Sequence, residues 1–146
     1  MFDILHRVGI KAPLADVHAA LTQVDRLAGW WTTDTTGEGQ AGGALAFKFG
    51  ERGFIDVKVL ADQPDRILWE VTDGPPEWIG SRIVWAPNVS GDWTVVMFSH
   101  TGWREPVEFM HDCSTKWALF LMSLKSLLET GKGQPWPDEI SIGDWD

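Results

Sequence analysis

The chain begins with a strict alternation of apolar and polar residues. Positions 3–11 place Ile4, His6, Val8 and Ile10 on one side and Asp3, Arg7 and Lys11 on the other, the period-two signature of a half-buried strand. Ala12-Pro13 ends it, and Leu14, Val17, His18 and Leu21 then recur at helical spacing, which predicts a short helix to about Thr22 with Pro13 suited to its first turn. Asp25 to Trp31 predicts a second brief helix, and the polar run Thr32 to Gly43 a loop. Five short apolar segments follow, at 44–49, 53–61, 66–73, 78–87 and 92–102, separated by turn-forming runs such as Asp62-Gln63-Pro64-Asp65 and Asp73-Gly74-Pro75-Pro76. Such short separators suit antiparallel hairpins, so the segments read as a meander. Past Pro106 the period becomes helical: Met110, Cys113, Trp117, Phe120, Leu121, Leu124, Leu127 and Leu128 form one stripe opposite Glu108, Asp112, Lys116, Lys125 and Glu129. Gly131 and Gly133 end this long helix, and the acidic tail 134–146, with Trp136 and Trp145, is expected to pack as an arm.

These elements predict one α+β domain over 1–146. A six-stranded antiparallel sheet carries two short helices after its first strand and a long C-terminal helix packed across it. At 146 residues the chain has the length of a single domain with one core.

Charge narrows the partners. Twelve lysines and arginines stand against 21 acids, a net charge of −9, which argues against nucleic acid and against anionic membrane surfaces. The single cysteine, Cys113, excludes an intramolecular disulfide and a thiolate zinc cluster, and no run resembles a signal peptide or a membrane span. A cytoplasmic location is the expectation.

Several local patterns invite chemistry. Gly37-Glu38-Gly39-Gln40-Ala41-Gly42 spells the dinucleotide fingerprint, but a polar loop precedes it and a strand follows, the reverse of the strand–turn–helix setting that a pyrophosphate needs. It reads as an ordinary flexible loop, or a lip beside Trp30 and Trp31. His111 and Cys113 lie two apart on a helix and point to different faces, so no metal site and no cofactor are expected. Cys113 and His100 offer a conceivable nucleophile and base, against which stands the place of Cys113 on the apolar stripe. His6 shares the inner parity of its strand and reads either as a polar group in a cavity or as a core histidine. Arg82 with Glu70 reads as an orienting pair for a polar ligand group or as a solvated ion pair on the outer face.

Ten tryptophans and no tyrosine are the compositional oddity. Each indole buries roughly 150–250 Å² and brings one N–H donor, so the set either fills a core or lines a hollow for a flat apolar molecule. Trp69 and Trp117 are placed by period between sheet and helix. Trp30, Trp31 and Trp103 stand where an opening is expected, Trp78, Trp85 and Trp93 have no assignable face, and Trp136 and Trp145 belong to the tail.

Local wording then points to a family. Ala20-Leu21-Thr22 with Leu27 and Trp30-Trp31, Gly42-Gly43 before Phe47, Pro64-Asp65-Arg66-Ile67 before Trp69-Glu70, and Ser99-His100-Thr101-Gly102-Trp103 ahead of the long helix resemble the activator-of-heat-shock-protein-90-ATPase homologues. The order of elements resembles the wider START-like, or SRPBCC, superfamily with its helix-grip fold. The resemblance implies a cavity between a curved sheet and the last helix, used in that superfamily for hydrophobic molecules. It implies no single chemistry, since some relatives turn over a bound polyketide, others only bind, and chaperone activation belongs to larger proteins holding this domain as one part.

The leading expectation is therefore binding of a small hydrophobic or aromatic molecule by Trp30, Trp31, Trp69, Trp103, Trp117 and Cys113, with His6, His100 and Arg82 orienting it. A cofactor-free lyase, cyclase or hydrolase in the same cavity is the alternative, and it requires a histidine and a second ionisable group near a common point. The third reading is a chaperone-activator-like interaction module or homodimer, which requires an exposed apolar patch.

Overall fold

The computed structural model describes residues Phe2–Asp146. Strand β1 (Phe2–Ile10) leads into helices α1 (Leu14–Thr22) and α2 (Val24–Leu27), followed by strands β2 (Asp34–Gly37), β3 (Ala44–Lys48), β4 (Phe54–Gln63), β5 (Arg66–Asp73), β6 (Arg82–Ser90) and β7 (Trp93–Trp103), and by helix α3 (Glu108–Thr130). All neighbouring strands are antiparallel, in the order β1-β7-β6-β5-β4-β3-β2. The two short helices carry the chain from one edge of the sheet to the other, and β7 returns beside β1.

Alternation decides the faces. Ile4, Val8 and Ile10 of β1 sit opposite His100, Val96 and Thr94 of β7, all buried, while Leu5 and Arg7 point outward beside Ser99 and Met97. Helix α3 covers the inner face with Cys113, Trp117, Phe120, Leu121 and Leu124. It ends at Gly131, whose φ of 85° lets its N–H return to the Leu127 carbonyl at 2.9 Å.

The sheet has seven strands, not six. Asp34–Gly37, expected as loop, pairs with β3 from Asp34↔Lys48 to Gly37↔Leu45. The segment expected as a strand from Trp78 instead begins at Arg82, because the turn opened by Pro75 continues through Gly80. Trp78 is thus buried from a turn, edge-on to His100 at 4.4 Å between ring centres and stacked on Trp117 at 5.8 Å.

Nor do the tryptophans divide into a core set and an opening set. Trp30, Trp31, Trp69, Trp78, Trp85, Trp103 and Trp117 form one contiguous aromatic network, with Trp31 stacked between Trp30 and Trp69 at 6.0 and 6.2 Å. Area and ring geometry hold it more than hydrogen bonding does. The indole N–H groups of Trp69, Trp85 and Trp103 are buried without an acceptor, each costing about 1–3 kcal/mol that the surrounding apolar burial must offset.

Candidate functional site

The network is open on one side. Where α3 begins, the β3–β4 hairpin and the turn at Gly74–Trp78 stand off from the helix and leave a cleft of about 490 Å³, within the usual range for small-molecule sites. Its floor is Trp31, Trp78 and Trp117, and Phe49, Phe109, Phe120 and Trp136 form much of the wall. Phe109, Cys113, Lys116 and Phe120 occupy one helical face of α3, so a single element supplies a side of the cleft. Phe49 reaches it from the hairpin tip, edge-on to both Trp31 (5.9 Å) and Trp136 (6.1 Å).

Charge is confined to Arg52, Asp112, Lys116 and Glu139. The tail returns across the mouth: the Trp136 N–H donates to the Trp31 carbonyl at 2.8 Å, and the Thr33 N–H donates to the Trp136 carbonyl at 3.2 Å. Beyond it, Lys116 Nζ meets Asp146 Oδ1 at 2.7 Å and Glu139 Oε2 at 3.5 Å, with Arg52 3.8 Å from the same Asp146 oxygen. Burial pushes the Asp146 carboxyl upward, but the Lys116 ammonium and the Ile142 N–H outweigh it and hold the group at about 2. Asp112 moves the other way, raised by burial and by repulsion from Asp146, with Lys116 opposing.

Of the residues singled out by sequence, Trp31, Trp117 and Cys113 line the cleft. Trp30, Trp69 and Trp103 lie fully buried behind the floor. His100 is also behind it, in a directed relay. An indole can only donate, so Trp117 Nε1–H donates a hydrogen bond to His100 Nδ1 (3.2 Å). Nε2 therefore carries the hydrogen and donates to Ser81 Oγ (2.8 Å), which in turn donates to the Trp78 carbonyl. Burial drives the His100 pKa down to about 3, so the ring is neutral with both nitrogens engaged. His100 thus has no free lone pair to offer a substrate.

Burial likewise pushes the Cys113 thiol up to about 12, with Trp78 pulling the other way, so no thiolate forms near neutrality. His6 packs against Phe98, and its Nε2 lies 3.1 Å from the Ser114 carbonyl oxygen, away from the cleft. Arg82 is on the outer face. Its register neighbour is Glu70, and the two form an exposed pair at 3.4 Å. Both follow from parity: Trp69 and Ile83 point inward, so the residues beside them point outward.

No histidine lines the cleft, and among the described residues no group of three or more histidines, cysteines and acids is arranged to hold a metal ion. The glycine-rich loop is packed against α1, not at this cleft. A Cβ on Gly39 would come 1.9 Å from the Thr22 carbonyl oxygen, so that glycine answers a close approach between backbones. Beside it a second cleft of about 560 Å³ is lined by polar groups, including His18 hydrogen-bonded to Asp62. The residues that sequence reasoning passed over are Phe49, Trp78, Phe109, Lys116 and Trp136. Phe109 lies outside the apolar stripe read from the sequence and Lys116 is placed by that pattern on its opposite face, yet both border Cys113 on the cleft side of α3, whereas Trp136 reaches the cleft only through the fold.

Comparison with known proteins agrees with this architecture. The sheet gripping a long helix matches the solution structure of an Aha1 dimer from Colwellia psychrerythraea, with 41% identity, a TM-score of 0.84, and coverage of 91% of this chain and all of that one. CalU16 from Micromonospora echinospora (20% identity, TM-score 0.73, 87% of this chain and 74% of that one) and MLL2253 from Mesorhizobium loti (19%, 0.76, 88% and 97%) share the fold. Comparison with curated proteins finds no match. No helix among the described residues is long and apolar enough to cross a membrane. The family model described as activator of Hsp90 ATPase homolog 1-like protein matches residues 11–129, and the chain belongs to that family.

Proposed function

We propose that the protein binds a small hydrophobic or aromatic molecule in the cleft between the β3–β4 hairpin and the start of α3. The observation that carries this reading is the contrast between a close-packed tryptophan network and one aromatic-walled space of about 490 Å³ beside it. Flat rings entering it would stack on Trp31, Trp78 or Trp117, with the burial and ring geometry that stabilise aromatic pairs. Binding is favoured over turnover, since the only histidine near the floor is neutral and doubly engaged. The single free thiol suits the cytoplasmic location expected from the sequence.

Tryptophan emission tests it directly, because the chain has no tyrosine. Naphthalene- and anthracene-type compounds are expected to quench or shift emission saturably in the wild type and to lose affinity in Phe120→Asp. Emission unchanged across such a panel would refute the reading.

A second reading, self-association through the outer sheet face, has its own observation. In cross-strand register, Leu68, Val84, Ser99 and Leu5 form an uncharged row over β5, β6, β7 and β1, with Ala86 and Met97 in the next row. Leu5 is 70% and Met97 46% exposed, and a contiguous apolar patch of this kind marks an interaction face. Arg7, beside Met97, offsets part of the repulsion between two copies of a chain with net charge −9. The related Colwellia psychrerythraea protein is described as a dimer. Sedimentation velocity is expected to show a dimer that Leu5→Glu/Met97→Glu converts to monomer. A wild-type monomer at tens of micromolar would remove this reading and leave the face open to a different protein.

A further inference from the structure

We propose that the ligand of the cleft is an aromatic carboxylate, its anion seated on Lys116 and Arg52 in exchange for the acidic tail that now sits there. The inference rests on the cleft being a binding site, as argued above.

The tail supports it in two ways. First, the segment after Pro137 is held to the body by charge. Its side-chain ion pairs and hydrogen bonds to the sheet and helices run to Lys116 and Arg52, through Asp146 and Glu139, while Ile140 and Trp145 are 60% and 50% exposed and Ile142 is half-buried. Apolar packing therefore contributes little there, and another anion can replace what holds it. Second, the carboxylates that bind the cations are themselves well covered, Glu139 at 7% and Asp146 at 10% side-chain exposure. A carboxylate is thus already accommodated at the rim of an aromatic cleft, with one oxygen 2.7 Å from the ammonium.

Local charge gives the direction of exchange. With the tail in place, Lys116 and Arg52 face Asp112, Asp146 and Glu139, an excess of one negative charge. Lifting the tail removes Asp146 and Glu139, two negative charges, and leaves Asp112, with Glu108 near it, against Lys116 and Arg52. The site then lacks an anion, and the adjoining wall, Trp31, Trp78, Trp117 and Phe120, suits an aromatic body attached to it.

The experiment compares naphthalene-2-carboxylate with naphthalene-2-carboxamide by titration calorimetry. The proteins are the wild type, the full-length Glu139→Gln/Asp146→Asn variant, a chain ending at Pro137, and Lys116→Met. The carboxylate is expected to bind the two tail variants about tenfold more tightly than the wild type, the sum of a few partly buried ion pairs. The carboxamide should change little between them, and Lys116→Met should abolish the preference for the carboxylate. The Gln/Asn variant preserves the size of the tail, so misfolding of the shortened chain leaves the test intact. Equal binding of acid and amide in every protein overturns the carboxylate proposal and leaves the cleft as a site for neutral aromatics. Binding of neither probe to any of the proteins overturns both.

Discussion

His100 gives the sharpest test of the interior. Its ring is fully buried, accepts from Trp117, donates to Ser81, and has a pKa driven by burial from 6.5 to about 3. The unfolded chain takes up a proton there near pH 6.5 and the folded chain does not. Because the folded value is the lower one, the stabilising contribution is complete above pH 6.5 and is lost as the pH falls toward about 3. At about 1.36 kcal/mol per pH unit the loss reaches about 3 kcal/mol at pH 4.5 and about 5 kcal/mol at the end of the window. Against a domain stability of roughly 5–15 kcal/mol, that is a large fraction. Urea titration followed by tryptophan emission, at pH 7.5, 6.5, 5.5 and 4.5, measures it. The reference is His100→Gln, which keeps a donor and an acceptor but takes up no proton in this range. The wild type is expected to lose about 3 kcal/mol relative to the variant between pH 7.5 and 4.5, whatever the variant's own cost at neutral pH. Carboxylates are common to both proteins and cancel in the difference: Asp112, raised in the folded protein, gains stability as pH falls, while Asp146 and Glu129, both lowered, lose it only around or below their ordinary values. Parallel curves for the two proteins would mean that His100 is protonated in the folded state, and the relay as described would be wrong.

Two further outcomes test the packing. Gly39→Ala drives a methyl into the Thr22 carbonyl oxygen and is expected to cost about 1–3 kcal/mol, read as a fall in Tm, whereas Gly143→Ala, with open space at its Cβ, should leave Tm within a degree or so of wild type. A disulfide reagent at pH 8 should label Cys113 in the native protein at least ~100-fold more slowly than in urea, because the thiol is buried and pushed up to about 12. Native labelling at the unfolded rate would show that the floor of the cleft opens freely.

The parts of the fold legible in sequence are those whose burial is periodic. Ile4, Val8 and Ile10 announce β1, and the stripe from Cys113 to Leu124 announces the packed face of α3, because each element presents one face to the same core. Strand β2 shows why periodicity is not enough. Its only buried residue is Thr35, whose hydroxyl donates to the Thr32 carbonyl at 2.7 Å, so its place in the sheet comes from pairing with β3 and leaves no apolar trace. Trp78 is the opposite case, a strongly apolar residue buried without a strand, where the turn between Pro75 and Gly80 outweighs β propensity.

The candidate site divides along the same line. Cys113 and Trp117 were within reach of sequence reasoning because local period aims them inward, Trp31 because it precedes the loop expected to border an opening, and strand parity applied to Trp69 and Ile83 sends Glu70 and Arg82 outward. Trp136 and the Lys116–Asp146 pair carry no such signal. Trp136 reaches back to Trp31 and Lys116 meets Asp146 because the chain turns back after Gly131 and Gly133, where a Cβ on the latter would lie 2.4 Å from the Gly29 carbonyl oxygen. That close approach sets the path of the tail toward the start of α3, and with it the placing of carboxylates over Lys116. Hydrophobic pattern therefore specifies the aromatic half of the cleft, and the left-handed turn at Gly131 with the close approach at Gly133 directs its charged half.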